Sequence, residues 1–254
     1  MLFDTHAHYD DDQFDGDRET LLASLPEQGV GLVVNPGCTA ASSRTAVELA
    51  RRFPHVYAAV GIHPENCGDF RPEDLDAIRA LAREDKVVAI GEIGLDYYWP
   101  ENPPRPLQQQ VLRSQLALAR ELSLPVIIHD RDAHADTMAI VREFPGLRGV
   151  FHCFAGSVEM ARELVDMGWY LSFNGAATFK NARKAPEVIA AVPLERIMVE
   201  TDAPYMAPTP FRGKRCDSRY VYRMAETIAE IKGLTPAEVE QATTENGKAL
   251  FAIP

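Results

Sequence analysis

The stretch VVAIGEIGLD at residues 87–96 is a short apolar run that ends in an aspartate. Amphipathic segments flank it, PEDLDAIRALARE at residues 72–84 and PLQQQVLRSQLALAREL at residues 106–122. The central run is rich in Val and Ile, and its flanks follow a helical pattern, so the stretch predicts a strand between two helices. Pro72 and Pro106 stand where the first turn of a helix tolerates proline.

The same alternation of apolar runs and helical patterns extends along the whole chain. Eight runs predict strands: MLFDTHAH, GVGLVVNPG, VYAAVGIHP, VVAIGEIGLD, PVIIHDR, GVFHCFAG, YLSFNGA and IMVETDAP. Helical patterns lie between and after them, at residues 17–28, 41–53, 72–84, 106–122, 135–144, 157–168, 181–191, 217–232 and 236–250. Strands joined by helices run parallel, and eight of them close a (β/α)8 TIM barrel, the α/β architecture we expect. A doubly wound open sheet is the alternative, although no GxGxxG or Walker sequence supports it.

Length and composition are those of an ordinary globular enzyme. The 254 residues, 46% hydrophobic and 25% charged, suit one large barrel domain over residues 1–254. No apolar stretch reaches 18 residues and no signal-peptide pattern begins the chain, so we expect no membrane association. Four widely spaced cysteines without a CxxC pair favour reduced thiols and a cytoplasmic location. The net charge of −11 argues against wrapping duplex DNA, but not against a phosphate ester held by bound cations.

Histidines and carboxylates mark the ends of the predicted strands. In DTHAH, alternate residues of a strand point the same way, so His6 and His8 would aim two imidazoles at one ion. The remaining candidates on strand ends are Glu92, His129, His152 and Asp202. In a barrel all these ends meet on one face, where active sites are built. An isolated HxH is more often a pair of hydrogen-bonded histidines, but five of the seven histidines lie at such ends.

Six ligands are too many for one catalytic ion that keeps an open position, and they suit two divalent cations. We assign His6, His8, Glu92 and Asp202 to one ion, and Glu92, His129 and His152 to the other. Glu92 would then bridge the pair. Histidine and carboxylate ligands suit Zn or Mn, and Mg-dependent activity remains an alternative.

Other polar residues near these strand ends receive supporting roles. His63 in GIHP is a phosphate-facing hydrogen-bond donor, a third ligand or a core histidine, and we favour the donor. Glu200 precedes Asp202 by two residues and would orient a ligand or the attacking water, and Asp4 has the same relation to His6. Cys153 follows His152 and should point toward the helices as a packing residue.

The segments DTHAH, GIHP, GEIGLDYY, PVIIH, FHCFAGS, LSFNG and ETDAPY resemble, in this order, the TatD family of metal-dependent hydrolases. That family is similar in fold to the amidohydrolases, and its characterised members are mostly deoxyribonucleases. The resemblance covers essentially the whole chain and implies the same metal ligands at His6, His8, Glu92, His129, His152 and Asp202. It also implies that Glu92 takes the bridging position that a carboxylated lysine occupies in many amidohydrolases.

A basic loop follows the last predicted strand. Arg212, Lys214 and Arg215 would contact the phosphates of a polyanionic substrate above the two ions. Family members often have Asn-Glu after RGKR, whereas this chain departs from that pattern with Cys216 and Asp217.

The expected reaction is hydrolysis of a phosphodiester by water activated at the two cations, with Asp202 accepting the proton and Glu92, His63 and Glu200 also in the catalytic site. DNA at single-stranded or terminal positions is the leading substrate, and no obligate protein partner is evident. One alternative is hydrolysis of a small ester, amide, lactone or aminoacyl ester on the same scaffold. Another is a non-catalytic binding module with a vestigial site.

Overall fold

A computed structural model describes residues 1–254, and its eight strands form one parallel sheet in chain order. The strands are β1 (Leu2–Asp4), β2 (Val30–Pro36), β3 (Val56–Val60), β4 (Val87–Asp96), β5 (Val126–Arg131), β6 (Gly149–Phe151), β7 (Tyr170–Phe173) and β8 (Ile197–Val199). The last strand returns to the first, because Ala7 pairs with Ala203 in a parallel bridge and the amide of Asp202 donates to the carbonyl of His6 at 2.9 Å. The sheet is therefore a nearly closed barrel, as the alternating pattern predicts.

Nine helices surround the barrel and supply its connections. They are α1 (Arg18–Ser24), α2 (Ala40–Arg52), α3 (Pro72–Leu81), α4 (Arg105–Leu122), α5 (His134–Arg142), α6 (Val158–Asp166), α7 (Lys184–Ala191), α8 (Tyr222–Lys232) and α9 (Pro236–Phe251). None of them combines the length and the apolar composition that a bilayer crossing demands.

The barrel interior is apolar at the end opposite the strand carboxyl ends. There α9 covers the opening, with the ring of Phe251 6.1 Å from that of Phe3. Gly247 on the same helix faces Phe3 so closely that a Cβ would come within 2.7 Å of its ring. Packing at this density closes one end of the barrel to solvent, and the polar strand ends face the other opening.

Several elements end earlier than the sequence predicts. β1 stops at Asp4 and β6 at Phe151, so His6, His8 and His152 lie on the backbone just beyond these strands. The predicted helix at 17–28 is divided, because α1 ends at Ser24 and Pro26 begins a separate 3-10 turn. The predicted helix at 217–232 likewise begins with a 3-10 turn before α8. The strand-end residues nevertheless converge at one opening.

One glycine allows β4 and β5 to lie close enough to bring their site residues together. Gly94 has φ of +154°, and a Cβ built on it would overlap the carbonyl oxygen of His129. Only glycine avoids both the unfavourable backbone conformation and this overlap. The GEIGLD glycines thus serve close packing, in agreement with the absence of a phosphate-loop pattern.

Candidate metal centre

The carboxylate of Glu92 lies at the centre of the polar cluster, and its two oxygens face different histidines. Oε2 is 3.2 Å from Nε2 of His6 and 3.3 Å from Nε2 of His8. Oε1 is 2.8 Å from Nε2 of His152 and 3.0 Å from Nδ1 of His129. The fold thus divides the donors into two sets that share one carboxylate, although β1 and β6 are separated by more than 100 residues.

Asp202 completes the set around His6 and His8. Its Oδ1 lies 3.9 Å from Nε2 of His6 and 3.8 Å from Nε2 of His8. Asp202 follows β8 with φ of +58°, a conformation that is uncommon for residues other than glycine and that concentrates at functional sites. His6, His152 and Asp202 also form one of the groups whose donor atoms lie within 4.8 Å of one another.

The donor atoms fit divalent cations because unshared lone pairs converge. Nε2 of His6 and Nε2 of His8 are only 3.0 Å apart, and Nδ1 of His6 is buried without a hydrogen-bond partner. Two nitrogen lone pairs at this distance repel each other unless a proton or a cation lies between them. Neutral imidazoles and carboxylates are ligands of Zn and Mn, so the residues fit such ions.

Carboxylates lie behind two of the histidines, and one of these pairs is hydrogen-bonded. Nε2 of His129 lies 2.9 Å from Oδ2 of Asp96, so Nε2 would keep its proton when Nδ1 loses its own to a metal ion. Nδ1 of His152 lies 3.4 Å from Oε1 of Glu200 without hydrogen-bond geometry. A hydrogen-bonded carboxylate such as Asp96 fixes the tautomer and ring orientation of a metal-binding histidine.

Glu200 is fully buried, and its oxygens have several partners. Oε1 accepts a hydrogen bond from the amide of Cys153 at 2.7 Å, and Oε2 accepts one from the hydroxyl of Ser172. With both oxygens engaged, Glu200 fixes the backbone at Cys153, next to His152.

Asp4 differs from the predicted role of orienting the imidazole of His6. Its carboxylate accepts hydrogen bonds from the amide and hydroxyl of Thr201, at 2.9 and 2.6 Å, and reaches only the backbone nitrogen of His6, at 3.4 Å. Burial raises the pKa of Asp4 to about 7 despite these bonds. Asp4 therefore ties β1 to the segment after β8 and sets the backbone next to the candidate ligands His6 and Asp202.

Electrostatics favour an ionised Glu92. Burial raises the pKa of this carboxyl, but the facing histidines outweigh burial and hold the pKa well below its usual range. Burial also raises the pKa of Asp202, to about 6, and lowers that of His6 to about 4. A deprotonated His6 beside an ionised Glu92 is the protonation state that a metal ligand set requires.

His63 lies beside Glu92 within the cluster. It is 7% exposed, with Nε2 3.4 Å from Oε1 of Glu92. Its Nδ1 accepts a hydrogen bond from the amide of Glu65 at 3.3 Å, at the start of a 3-10 turn that follows β3. Because Nδ1 is the acceptor and burial lowers the pKa of the ring, the neutral imidazole carries its proton on Nε2. Nε2–H then points into the cluster as a donor.

The cations of the basic loop have different partners in the structure. The guanidinium of Arg215 pairs with both oxygens of Asp17, at 2.8 and 2.5 Å, and donates to the carbonyl of Gln13 at 2.7 Å. In this arrangement Arg215 holds the segment before α1, and its predicted phosphate contact is not supported. Arg212 and Lys214 have no carboxylate within 4.0 Å, and the guanidinium of Arg212 lies 4.0 Å from the ring centroid of Phe179.

A cavity of 340 Å³ opens beside His129, His152 and Asp202. Arg131 and Lys184 also line it. Neither cation has a carboxylate within 4.0 Å, so both are free to neutralise an anion at this opening. Three carboxylates, those of Asp130, Asp132 and Asp202, line the same cavity, so its cations and anions lie side by side.

The predicted orientation of Cys153 is wrong. Its side chain lines the same cavity, and Sγ accepts a hydrogen bond from Nδ2 of Asn174 at 2.9 Å. Strand alternation does not apply there, because β6 ends at Phe151 and Cys153 has φ of +45°. Burial raises the pKa of this thiol to about 12, so it remains neutral and is no thiolate ligand.

Three site residues are absent from the sequence-based set. Asp96 orients His129, and Arg131 and His134 line the cavity. Nδ1 of His134 pairs with Asp130 at 2.8 Å. Asp96 had a signal, since it lies four residues after Glu92 and therefore on the same side of β4. Arg131 had the corresponding signal two residues after His129.

Comparison with known proteins identifies the family of this chain. The family model described as TatD related DNase matches residues 3–252. The metal-dependent hydrolase YabD of Bacillus subtilis is 46% identical over the full length of both chains. The 3'-5' ssDNA/RNA exonuclease TatD of Salmonella typhimurium is 32% identical over 99% of each. The crystal structure of YjjV, a TatD homologue of Escherichia coli, superposes with a TM-score of 0.93 at 33% identity, covering 100% of this chain and 98% of that one. The chain belongs to the TatD-related DNase family of metal-dependent hydrolases.

Proposed function

We propose that this protein is a two-metal phosphodiesterase that removes nucleotides from single-stranded DNA. The observation that carries the proposal is the division of donors around Glu92, whose Oε2 faces His6 and His8 while Oε1 faces His129 and His152. Relatives named as 3'-5' ssDNA/RNA exonucleases, at 32% and 34% identity, support a nucleic-acid substrate.

Two divalent cations, Zn, Mn or Mg, would occupy the two donor sets. One set is His6, His8, Glu92 and Asp202, and the other is Glu92, His129 and His152. Such a pair lowers the pKa of water and neutralises the oxygens of a phosphoryl group in an in-line displacement. A carboxylate with one oxygen toward each set fits the bridging position.

Asp202 accepts the proton of the attacking water in this proposal. Its carboxylate is 17% exposed and lines the opening, so a water molecule can reach it. Burial raises the pKa of Asp202 to about 6, which leaves it ionised at neutral pH. Its pKa is thus closer to neutral pH than that of an ordinary aspartate, which favours proton transfer from water. His63 donates from Nε2 to a phosphoryl oxygen as negative charge develops there.

The cations at the opening would hold the rest of the substrate. Arg131 and Lys184 line the 340 Å³ cavity. Arg212 lies against Phe179, which lines an adjoining, more apolar cavity that shares Cys153 and Lys184 with the first. Few cations at one opening of an acidic barrel suit a single strand or a terminus better than a long duplex, which needs an extended basic face.

The test is an assay of the metal-reconstituted protein on labelled single-stranded DNA, duplex DNA, RNA and a panel of small neutral esters and amides. We expect the highest kcat/KM on single-stranded DNA. Turnover of a small ester or amide with no cleavage of any nucleic acid contradicts the proposal and favours the alternative hydrolase. No hydrolysis with Mg, Mn or Zn favours a binding module instead.

Two pairs of variants assign the residues. His63→Ala should keep its metals and lose about 10²- to 10³-fold in kcat, the usual effect of removing one transition-state donor, whereas His55→Ala at the opposite end of the barrel should not. Arg212→Gln should raise the KM for DNA, whereas Arg215→Gln, whose partner is Asp17, should leave it unchanged. Equal effects within a pair contradict these assignments.

A further inference from the structure

Exposed aromatic side chains are concentrated beside the candidate metal centre. Only five large apolar side chains are strongly exposed in the whole chain: Met1, Tyr98, Trp99, Tyr205 and Leu234. Tyr98 and Trp99 are adjacent, 49% and 43% exposed, with ring centroids 4.7 Å apart and nearly perpendicular planes. Aromatic rings left open to water next to a site indicate binding surface rather than core.

The segment that carries this aromatic pair is fixed to a residue that orients a candidate ligand. The amide of Tyr98 donates to Oδ1 of Asp96 at 3.0 Å, and Nδ2 of Asn102 donates to the same oxygen at 2.9 Å. The other oxygen of Asp96 faces Nε2 of His129 at 2.9 Å. One carboxylate therefore holds both the aromatic segment and a candidate metal ligand, which sets the rings at a fixed position relative to the centre.

Arg131 joins the aromatic pair to the cavity. Its guanidinium carbon lies 3.8 Å from the ring centroid of Tyr98 and 5.4 Å from that of Trp99. The same residue lines the cavity with His129 and Asp202 and has no carboxylate within 4.0 Å. Stacking on the rings holds this cation at the path from the aromatic pair to the metal centre.

We propose that Tyr98 and Trp99 form a stacking platform for a nucleobase of a single-stranded nucleic acid, with Arg131 contacting the phosphate between that base and the scissile bond. This inference rests on the proposed function and names how its substrate is held. Bases in a duplex are already stacked on their neighbours, so a protruding ring pair discriminates in favour of single strands. Because any base has a stacking face, the platform accepts different sequences.

The two tryptophans of the chain make the contact directly observable. Trp99 is 43% exposed, whereas Trp169 is 1% exposed within the core. The metal-loaded protein is titrated with a phosphorothioate-linked octathymidylate, which resists hydrolysis, while tryptophan emission is recorded. We expect saturable quenching by this single strand, weaker quenching by a duplex of equal length, and no quenching in Trp99→Phe. The Trp169 emission remains as an internal reference.

Kinetics separate stacking from a purely structural role. Trp99→Ala should raise the KM for a single-stranded oligonucleotide by about 5- to 150-fold relative to the KM for methyl p-nitrophenyl phosphate, the range expected for the loss of one stacked base. Trp99→Phe should restore most of the difference. Leu234→Ala, an exposed apolar residue between α8 and α9, should change neither KM, and metal content and the thermal midpoint verify folding of each variant.

Several outcomes overturn the platform. Equal quenching by duplex, or by heparin, would assign the effect to charge alone. A wild-type dimer that Trp99→Ala dissociates would assign the rings to an interface between copies. A wild-type protein that cleaves oligonucleotides without Trp99 quenching, and with an unchanged KM in Trp99→Ala, overturns the platform but not the proposed function. A wild-type protein that cleaves no oligonucleotide refutes the proposed function, and the absence of quenching then refutes the platform independently.

Discussion

Replacing Asp96 by asparagine should weaken one of the two metal sites and leave the other intact. Oδ2 of Asp96 lies 2.9 Å from Nε2 of His129, while Oδ1 accepts from the amide of Tyr98 and the side chain of Asn102. Asp96 uses one oxygen toward His129 and the other toward Tyr98 and Asn102, whereas asparagine has only one acceptor oxygen. If that oxygen keeps the bonds to Tyr98 and Asn102, the new amide group faces Nε2 and favours the tautomer with the proton on Nδ1.

The size of the effect follows from this exchange. His129 would then present a proton instead of a lone pair toward Glu92, and it would also lose the basicity that a carboxylate partner confers. Removing such a partner behind a metal-binding histidine lowers affinity by about 10- to 100-fold. That range corresponds to about 1.4–2.7 kcal/mol for the site of His129 and His152. The set of His6, His8 and Asp202 makes no contact with Asp96 and should keep its affinity.

Competition with a fluorescent chelator measures the two affinities separately. Asp136→Asn is the matched control, because Asp136 accepts from Tyr97 on the same segment at 2.9 Å and touches no candidate ligand. We expect one weakened ion in Asp96→Asn and none in Asp136→Asn. Two unchanged affinities in Asp96→Asn, or two equally weakened ones, would refute the orienting role of Asp96.

Three further results are expected. Metal binding should release protons at neutral pH and should tighten as the pH rises toward 9. Burial disfavours the charged form of His129, but Asp96 and Glu92 outweigh burial and raise the pKa of His129 in the metal-free protein to about 9. Calorimetry in two buffers of different ionisation enthalpy counts the released protons, and a count of zero contradicts this prediction. Iodoacetamide should leave the folded protein unmodified at mildly alkaline pH and label all four cysteines in urea. The reason is that desolvation raises the pKa of each thiol in the folded protein, that of Cys153 to about 12. Intact mass spectrometry detects the adducts, and rapid labelling of the folded protein would contradict the raised pKa values. Gly94→Ala should lower the free energy of unfolding in urea by about 1–3 kcal/mol. Gly16→Ala should not, because Gly16 has open space around it. Equal unfolding midpoints for the two variants would show that β4 and β5 do not meet as closely as described.

The sequence predicts the barrel well because its signal is repeated eight times. Each buried parallel strand requires a short run of apolar, often β-branched residues, and each crossover requires an amphipathic helix. The candidate ligands follow from the same pattern, since the carboxyl ends of all strands meet at one opening. The prediction for His6 and His8 did not depend on where β1 ends, because both residues lie near its carboxyl end whether or not the strand includes them.

Features set by single backbone conformations or by distant pairing were not predictable. The left-handed φ at Cys153 turns its side chain into the cavity, although strand alternation directs it toward the helices. Arg215 pairs with Asp17, 198 positions away in the sequence, and nothing in a basic run indicates which of its members will find such a partner. The position of Asp96 near the site follows from its spacing to Glu92. Its role in orienting His129 does not, because that role depends on the orientation of the His129 ring.

Metal titration of wild-type protein and of Glu92→Ala, after removal of all metal with a chelator, tests the bridging carboxylate most directly. The wild type should bind two divalent cations per chain. Glu92→Ala should weaken both ions together, because the two oxygens of this one side chain face both donor sets, whereas Glu143→Ala at an exposed ion pair should bind two as before. Two ions bound by Glu92→Ala with wild-type affinity would contradict the shared centre.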